Sequence, residues 1–126
     1  MFKRVAQLIF IQNDQLALGF RQNVEHENNV WGFPGGRQEP GETIETTARR
    51  EAREEVGVDP SSLRCLAVLT DDRDIEHHFF ICDAWTGELH NNEPERCRDI
   101  QWFPCTDLPN NCSAITYLAQ TLLHER

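Results

Sequence analysis

The stretch from residue 36 to residue 58 constrains this chain most, because it places a charged helix between glycine-containing loops. Two glycines and a proline keep its first part in a loop, and Thr43 offers a hydroxyl suited to a helix N-cap. Gly57 supplies a C-terminal stop. The pattern therefore predicts a helix from about Ile44 to Val56.

One face of this predicted helix is apolar. At about 100° per residue, four residues fall within about 120° and must face a core: Ile44, Ala48, Ala52 and Val56. Glu51 and Glu55 lie inside or against this stripe, and Glu54 lies beside them. Three carboxylates therefore share a sector of about 100°, and two of them border the buried face.

A solvated face with i,i+4 ion pairs is the usual interpretation of a helix rich in Glu and Arg. Here Arg49 and Arg53 project away from the glutamates, and only Arg50 lies beside them. Repulsion among the carboxylates grows as they are buried. We therefore expect a further cation at this face.

A hard divalent cation suits this set of ligands, because carboxylate and carbonyl oxygens bind Mg²⁺ or Mn²⁺ well. The preceding loop, residues 34 to 36, can bring a backbone carbonyl close because glycine has no Cβ. Mg²⁺ often shares its coordination sphere with substrate phosphates. The sequence therefore predicts a metal site that serves phosphoryl transfer.

This stretch resembles the Nudix box, G-x5-E-x7-R-E-U-x-E-E-x-G-U, in which U is aliphatic. Every fixed position is matched, by Gly36, Glu42, Arg50, Glu51, Glu54, Glu55, Gly57 and Val58. Ala52 stands at the first U position and is apolar but small. The resemblance extends to W-G-F-P-G at residues 31 to 35 and to W-F and L-P near the C-terminus, so it covers most of the chain.

The Nudix resemblance implies a single α/β domain over residues 1 to 126, an α/β/α sandwich with a mixed β-sheet. It implies a Mg²⁺-dependent hydrolase of a nucleoside diphosphate linked to another group. Glu51, Glu54, Glu55 and the Gly35 carbonyl would hold the metal, and Glu51 or Glu54 would be the general base. Arg50 would orient the glutamates. Three box residues would have structural roles: Gly36, Glu42 and Gly57.

Residues outside the box supply further candidates. Nudix enzymes often add a carboxylate from a late loop, and we assign Glu95 to the metal and Glu93 to the substrate. Arg21, at the end of a predicted strand, either reaches a phosphate or is only solvated. Phe33 either stacks on a nucleobase or packs in the core. Asn111 either reads the base or caps the last helix.

Missing signatures narrow the substrate. ADP-ribose hydrolases of the family tend to carry a Pro after the box and dinucleoside polyphosphate hydrolases a Tyr, but residues 61 to 93 contain neither. This favours the MutT-like group, which cleaves undamaged or damaged (deoxy)nucleoside triphosphates to the monophosphate and pyrophosphate. The alternatives are a hydrolase of nucleotide sugars or other such conjugates, and a non-catalytic nucleotide sensor. Sensors commonly lose a box glutamate, and none is lost here.

Composition agrees with one globular domain, with 39% hydrophobic and 26% charged residues. The net charge of −9 disfavours nucleic acid and anionic membranes as partners. Five scattered cysteines predict buried or half-buried thiols in a reducing compartment. The first apolar run is broken by Gln7 and predicts a strand, not a signal peptide. We expect a cytoplasmic monomer or homodimer.

Apolar runs and turn residues predict the other elements. Strands are expected at residues 3–12, 15–21, 63–70, 75–85 and 98–104. Residues 22–30 are expected to form an exposed loop in which His26 is solvated, 59–62 a turn and 71–74 a solvated tip. A final helix follows residue 111. Its buried face is predicted to carry Ile115, Leu118, Ala119 and Leu122.

Overall fold

The computed structural model describes residues 3–24 and 28–125, so the prediction for His26 lies outside the described residues. The strands within this part of the chain are β1 (Lys3–Gln12), β2 (Gln15–Arg21), β3 (Trp31–Gly32), β4 (Gly35–Arg37), β5 (Asp59–Pro60), β6 (Arg64–Thr70), β7 (Ile75–Cys82), β8 (Trp85–Thr86) and β9 (Cys97–Pro104). The helices are α1 (Ile44–Val56) and α2 (Ala114–Glu125).

The main sheet is mixed, as predicted. Its central path runs β3-β2-β1-β7-β6, while β4 pairs with β1 and β9 pairs with β2. Strands β1 and β7 are parallel, from the pair Lys3 and Ile75 to the pair Phe10 and Cys82, and the other pairings in this sheet are antiparallel. The short strands β5 and β8 form a separate antiparallel pair.

Two hydrophobic clusters lie on opposite faces of this sheet. Because side chains alternate along a strand, Leu8 and Phe10 of β1 pack with α1, whereas Ile9 packs with α2. The α1 cluster includes Ala48, Ala52 and Val56, and the α2 cluster includes Ala119 and Leu123. A helix on each face gives the α/β/α sandwich that the sequence predicted.

Local geometry explains the two best-predicted elements. The hairpin turn places Asn13 and Asp14 at φ 51° and 59°, a left-handed pair that matches the twist of hairpin strands. The Thr43 hydroxyl accepts a hydrogen bond from the Thr46 N–H at 3.1 Å, so it caps α1 as predicted. Gly57 ends α1 at φ 71°, where its N–H is donated to the carbonyls of Ala52 and Arg53.

Two predictions for residues near β7 were wrong. The strand predicted at 75–85 ends at Cys82, and Trp85 packs edge-on against Phe10 with the ring centroids 5.4 Å apart. Asp59–Pro60 was predicted as part of a turn but pairs with Trp85–Thr86. After Cys82 the chain leaves the main sheet, and Trp85 packs partly buried against the α1 cluster.

The tip at residues 71–74 is ordered by hydrogen bonds, where the sequence predicted a solvated tip. Asp71 accepts from the N–H groups of Arg73 and Ile75 and contacts Nε2 of the buried His77 at 2.8 Å. Burial acts to raise the pKa of Asp71, but these hydrogen bonds prevail and lower it to about 2. Nδ1 of His77 lies 3.1 Å from the Gln7 amide, so both ring nitrogens of this histidine have partners in the fold.

The buried face of α2 is shifted from the predicted one. Leu118 is 55% exposed, whereas Ala119 and Leu123 are buried. Thr116 lies on the buried side of the helix, where its hydroxyl lies 2.7 Å from that of Ser113, so its polar group has a partner. Ser113 also accepts from the Thr116 N–H at 3.4 Å, so it caps this helix and Asn111 does not.

All five cysteines are free thiols, in agreement with the expectation of no disulfide framework. Cys65 is exposed, which the sequence did not predict, while Cys82 is buried. Burial raises the pKa of Cys82 to about 11. Neither helix in the described part of the chain has the length and apolar character needed to span a membrane.

Candidate active site

Two glycines let β4 pass between β1 and α1. A Cβ on Gly35 would lie 2.0 Å from the Ala6 carbonyl oxygen, and a Cβ on Gly36 would lie 2.4 Å from the carboxylate carbon of Glu51. Glycine is required at position 35, where the clash is with backbone, whereas a side chain at position 36 would displace the carboxylate of Glu51. The close approach brings the backbone of β4 against the glutamates of α1.

Glu55 occupies the most enclosed position of the site. Its Oε2 accepts a hydrogen bond from the Gly35 N–H at 2.5 Å. Burial raises the pKa of Glu55 well above 4.5, the Glu51 and Glu93 charges raise it further, and the Gly35 N–H and Arg21 oppose the shift. The positive charge near this carboxyl group is therefore too weak to keep its pKa at the ordinary value.

Glu51 lies one turn earlier on the same face, with its side chain 12% exposed. Burial raises its pKa above 4.5, and the charges of Glu54 and Glu93 act in the same direction. Nη1 of Arg50 donates to Glu51 at 2.8 Å, which opposes that rise without cancelling it. Two neighbouring carboxyl groups on α1 thus share raised pKa values, a pattern typical of functional sites.

Arg50 is the hub of the cluster. Its Nε and Nη2 donate to the two oxygens of Glu42 at 2.8 and 3.1 Å. Its Nη1 donates to Glu51 and, at 3.2 Å, to Glu54, while Nη2 also donates to the Arg37 carbonyl. These carboxylates raise the pKa of Arg50. One guanidinium group therefore donates hydrogen bonds to three glutamates, as its planar arrangement of five N–H groups permits.

Glu42 fixes the loop before α1 to the helix itself. Besides Arg50, its Oε1 accepts from the Thr47 hydroxyl at 2.9 Å and from the Glu39 N–H at 2.9 Å. The Arg50 hydrogen bond is the largest cause that lowers the pKa of Glu42 to about 2. Glu42 is therefore an ionised brace between loop and helix.

The donor set fits a hard divalent cation. Glu51, Glu54 and Glu55 project from one face of α1, two of them have raised pKa values, and only oxygen donors converge there. Among residues 3–24 and 28–125, no three acidic, histidine or cysteine side chains are already gathered at ligand spacing. The glutamates instead engage Arg50 and the Gly35 N–H, contacts that they can exchange for a metal ion.

The two glutamates of the late loop have different surroundings. Glu95 is exposed, and its carbonyl accepts from the Asn23 side chain at 3.1 Å. Glu93 is partly buried, and its charge raises the pKa of both Glu51 and Glu55. The assignment of Glu95 to the metal stays a prediction, and the electrostatic contact with the α1 glutamates favours Glu93 as the alternative.

The three residues expected to contact substrate have different surroundings. Arg21 lies beside Gly32, where an added Cβ would be 3.6 Å from Arg21 Cδ, and its charge reaches Glu55. Phe33 is only 4% exposed and packs edge-on against Phe79, so the core-packing alternative is the correct one. The side chain of Asn111 is exposed, and its carbonyl accepts from the Trp31 N–H at 2.9 Å.

Sequence reasoning missed Asn91 and Asn92. Asn92 donates its side-chain amide to the Glu54 carbonyl at 3.1 Å, and Asn91 donates to the Cys97 carbonyl at 2.7 Å. The Asn92 contact joins residues 38 positions apart, whereas the Asn91 contact is local, six positions along the chain. The only signal in the sequence was the adjacent pair of asparagines, which is more typical of an ordinary turn.

Comparison with known proteins agrees with this geometry. The family described as NUDIX domain matches residues 2–121. A relative named 8-oxo-dGTP diphosphatase, from Proteus vulgaris, is 32% identical over 87 residues, which is 67% of this chain and 78% of that protein. One with the same name from Escherichia coli is 35% identical over 85 residues, 65% of this chain and 66% of that protein. The match spans 35% or less of the length of several other relatives.

The fold is similar to a solved structure as well. The crystal structure of a MutT NUDIX hydrolase from Burkholderia pseudomallei superposes with a TM-score of 0.90, covers 98% of each chain and shares 23% sequence identity. At this identity the likeness concerns the fold alone. The family match covers almost the whole chain and every fixed residue of the box is present, so this chain belongs to the Nudix family of hydrolases.

Proposed function

We propose that this protein hydrolyses (deoxy)nucleoside triphosphates, oxidised ones included, to the monophosphate and pyrophosphate in a Mg²⁺-dependent reaction. The observation that carries the proposal is the intact set of glutamates on α1, with too few cations for their charge. The relatives named 8-oxo-dGTP diphosphatase support this choice of substrate class.

Glu51, Glu54 and Glu55 would hold the metal, together with the Gly35 carbonyl and a carboxylate from the late loop. We assign the last role to Glu93, because its charge acts on Glu51 and Glu55. A bound Mg²⁺ would offset charge on the bridging phosphates and lower the pKa of a coordinated water.

Three further roles in the proposed reaction fall to side chains of this chain: the general base, the residue that orients it and a phosphate-binding cation. Glu51 or Glu54 accepts the proton of the attacking water. Arg50 holds both side chains through one nitrogen, Nη1, and so fixes their relative orientation. Arg21 is placed to balance charge on a phosphate, since its own charge already reaches Glu55.

The nucleoside end of the substrate is assigned to the start of α2. Asn111 is exposed there and has amide donors and an acceptor suited to the edge of a base. Phe33 is not part of this surface because it is buried. Specificity between bases would therefore come from hydrogen bonding rather than from stacking on Phe33.

A product assay tests the proposal. Purified protein with Mg²⁺ would be given a panel of undamaged and 8-oxo nucleoside triphosphates, ADP-ribose and nucleotide sugars, with phosphate and pyrophosphate measured separately. Pyrophosphate from triphosphates supports the proposal, whereas cleavage of ADP-ribose or sugars alone places the chain in another substrate group. Saturable nucleotide binding without any product would identify a sensor. Glu45→Gln is a matched control, because Glu45 pairs with Arg49 away from the site.

Charge and cysteine usage give the proposed setting. A net charge of −9 favours a small nucleotide brought in with its metal over nucleic acid or a membrane surface. Free thiols suit the reducing cytoplasm. Light scattering at micromolar concentration distinguishes a monomer from a homodimer, the two states expected.

A further inference from the structure

We propose that Asn91 and Asn92 are positioning residues, which hold the carboxylate of Glu93 between the C-terminus of α1 and the start of β9. Neither asparagine belongs to the Nudix box. The consequence for catalysis rests on the proposed function, whereas the consequence for metal binding does not.

The first half of the device closes the C-terminus of α1. The last carbonyls of a helix have no partners within the helix. Here the Asn92 N–H is donated to the Glu55 carbonyl at 2.9 Å, and its side-chain amide is donated to the carbonyl of Glu54 at 3.1 Å. The His90 N–H is donated to the Val56 carbonyl at 3.1 Å. The loop before Glu93 is therefore docked on the helix that carries the glutamates.

The close docking also accounts for Gly57. A Cβ on Gly57 would lie 2.3 Å from Cε1 of His90, so a side chain there would displace the imidazole ring. Nδ1 of His90 lies 2.8 Å from the Glu88 carbonyl, a contact that this displacement would break. Gly57 is favoured by its φ of 71° and leaves room for the His90 ring.

The second half of the device fixes Glu93 to β9. Oδ1 of Asn91 accepts from the Glu93 N–H at 3.1 Å, while its Nδ2 donates to the Cys97 carbonyl at 2.7 Å. The Glu93 carbonyl accepts from the N–H groups of Arg96 and Cys97 at 3.1 and 3.0 Å. Both backbone polar groups of Glu93 are therefore satisfied, and its backbone is held on both sides.

Positioning is needed because electrostatics opposes this arrangement. Asn92 docks the loop on the end of the helix that carries Glu51 and Glu55, so Glu93 is held beside side chains of like charge, which repel it. Without the two amides the loop would gain both conformational entropy and relief from repulsion by moving outward. In this proposal the asparagines keep the Glu93 carboxylate close to the α1 glutamates, where it could coordinate the same metal ion.

A double-mutant cycle tests the proposal. The single variants are Asn92→Ala, Asn91→Ala and Glu93→Gln. The two double variants combine Glu93→Gln with each asparagine variant in turn. Each asparagine variant alone is expected to weaken Mn²⁺ binding and to lower kcat by about 10-fold or more, with a smaller change in KM. In the Glu93→Gln background, either asparagine variant should change both quantities by less than about 2-fold.

Mn²⁺ binding is measured by electron paramagnetic resonance without nucleotide, so it is informative even if no substrate is found. Asn23→Gly is the matched control, because it removes an amide contact to the same loop, at the Glu95 carbonyl, and suits the φ of 54° at that position. It should leave Mn²⁺ binding and kcat unchanged.

Independent effects would overturn the proposal. If asparagine and Glu93 substitutions multiply in the combined variants, the asparagines act on stability or elsewhere and do not act through Glu93. Wild-type Mn²⁺ binding that the asparagine variants leave intact would overturn it as well. Asn91→Asp, which keeps the acceptor for the Glu93 N–H, provides a second variant should Asn91→Ala fail to fold. It should retain more Mn²⁺ binding than Asn91→Ala.

Discussion

Two charged networks in this protein use similar residues but are balanced differently. In the network at the end of β7, Asp71 is matched by His77 and Glu76 by His78 and Arg4, and the pKa values of both carboxyl groups are lowered. On α1, one arginine serves three glutamates, and the pKa values of Glu51 and Glu55 are raised.

The difference separates a structural network from a candidate site. A network that only stabilises the fold matches each charge, because unmatched buried charge costs free energy. A site that must bind a cation and hold a base keeps charge unmatched until its ligand arrives. Glu51 and Glu55 of α1 have the raised pKa values expected of such a site. The β7 network instead anchors the tip at residues 71–74.

Replacing one of the three α1 glutamates proposed as metal ligands should have the largest effect on kcat. Glu54→Gln is expected to lower kcat by about 10³-fold, since it removes a metal ligand or the base without removing volume. Glu54 is exposed, so the fold should persist, as circular dichroism would check. Steady-state pyrophosphate release measures the effect against Glu45→Gln. Full activity of Glu54→Gln would remove this residue from the mechanism.

Replacing the hub comes next. Arg50→Lys keeps the charge but loses the fork that joins Glu42, Glu51 and Glu54, so kcat is expected to fall by about 10- to 100-fold. The melting temperature should fall too, because Glu42 loses its main partner. Kinetics and thermal melts measure the two effects. Wild-type kcat in this variant would show that the common anchor is dispensable.

The pH dependence of stability should have opposite signs in the two networks. Glu51 and Glu55 have raised pKa values when folded, so the unfolded chain releases their protons first, and their contribution to stability is lost as pH rises from about 4.5 upward. Asp71 has a lowered pKa, so its contribution is present above the ordinary value of 3.8 and is lost as pH falls toward about 2.

Urea unfolding of metal-free protein across pH measures both slopes. Glu55→Gln should flatten the loss of stability above pH 4.5, and Mg²⁺ should stabilise the wild type more at pH 7 than at pH 5. Asp71→Asn should flatten the acid side instead. Equal Mg²⁺ stabilisation at both pH values would contradict the unmatched charge on α1.

Breaking the β7 network should have the smallest effect. Asp71→Asn weakens the contact to His77 and is expected to cost about 1 kcal/mol in the free energy of unfolding. It should leave kcat and KM unchanged, because the Asp71 carboxylate contacts Arg73, Ile75 and His77 and none of the α1 glutamates. Urea unfolding and nucleotide kinetics together measure this variant. A marked loss of kcat would show that the two networks are coupled.

The sequence predicted the parts of this molecule that local rules control. Helix α1 was placed at its observed bounds because Thr43 and Gly57 cap it and its apolar residues recur with the helical period. Strands β1 and β2 were also placed at their observed bounds, because turn residues separate two apolar runs there.

The remaining features depend on contacts between distant segments. Phe33 is buried by Phe79, and no local pattern shows that contact. Glu93 rather than Glu95 turns toward α1 because Asn92 docks on the end of that helix. The helical period of α2 alone could not show that Leu118 is exposed and Leu123 buried, because that depends on how the helix packs on the sheet.

Calorimetric titration of Mg²⁺ into the nucleotide-free protein at pH 7 tests the central claim most directly. Saturable binding that is lost in Glu55→Gln and kept in Glu45→Gln is the predicted result, because the unmatched carboxylates of α1 are the proposed ligands. Binding that is absent in the wild type, or unchanged in Glu55→Gln, would contradict the claim that this cluster awaits a divalent cation.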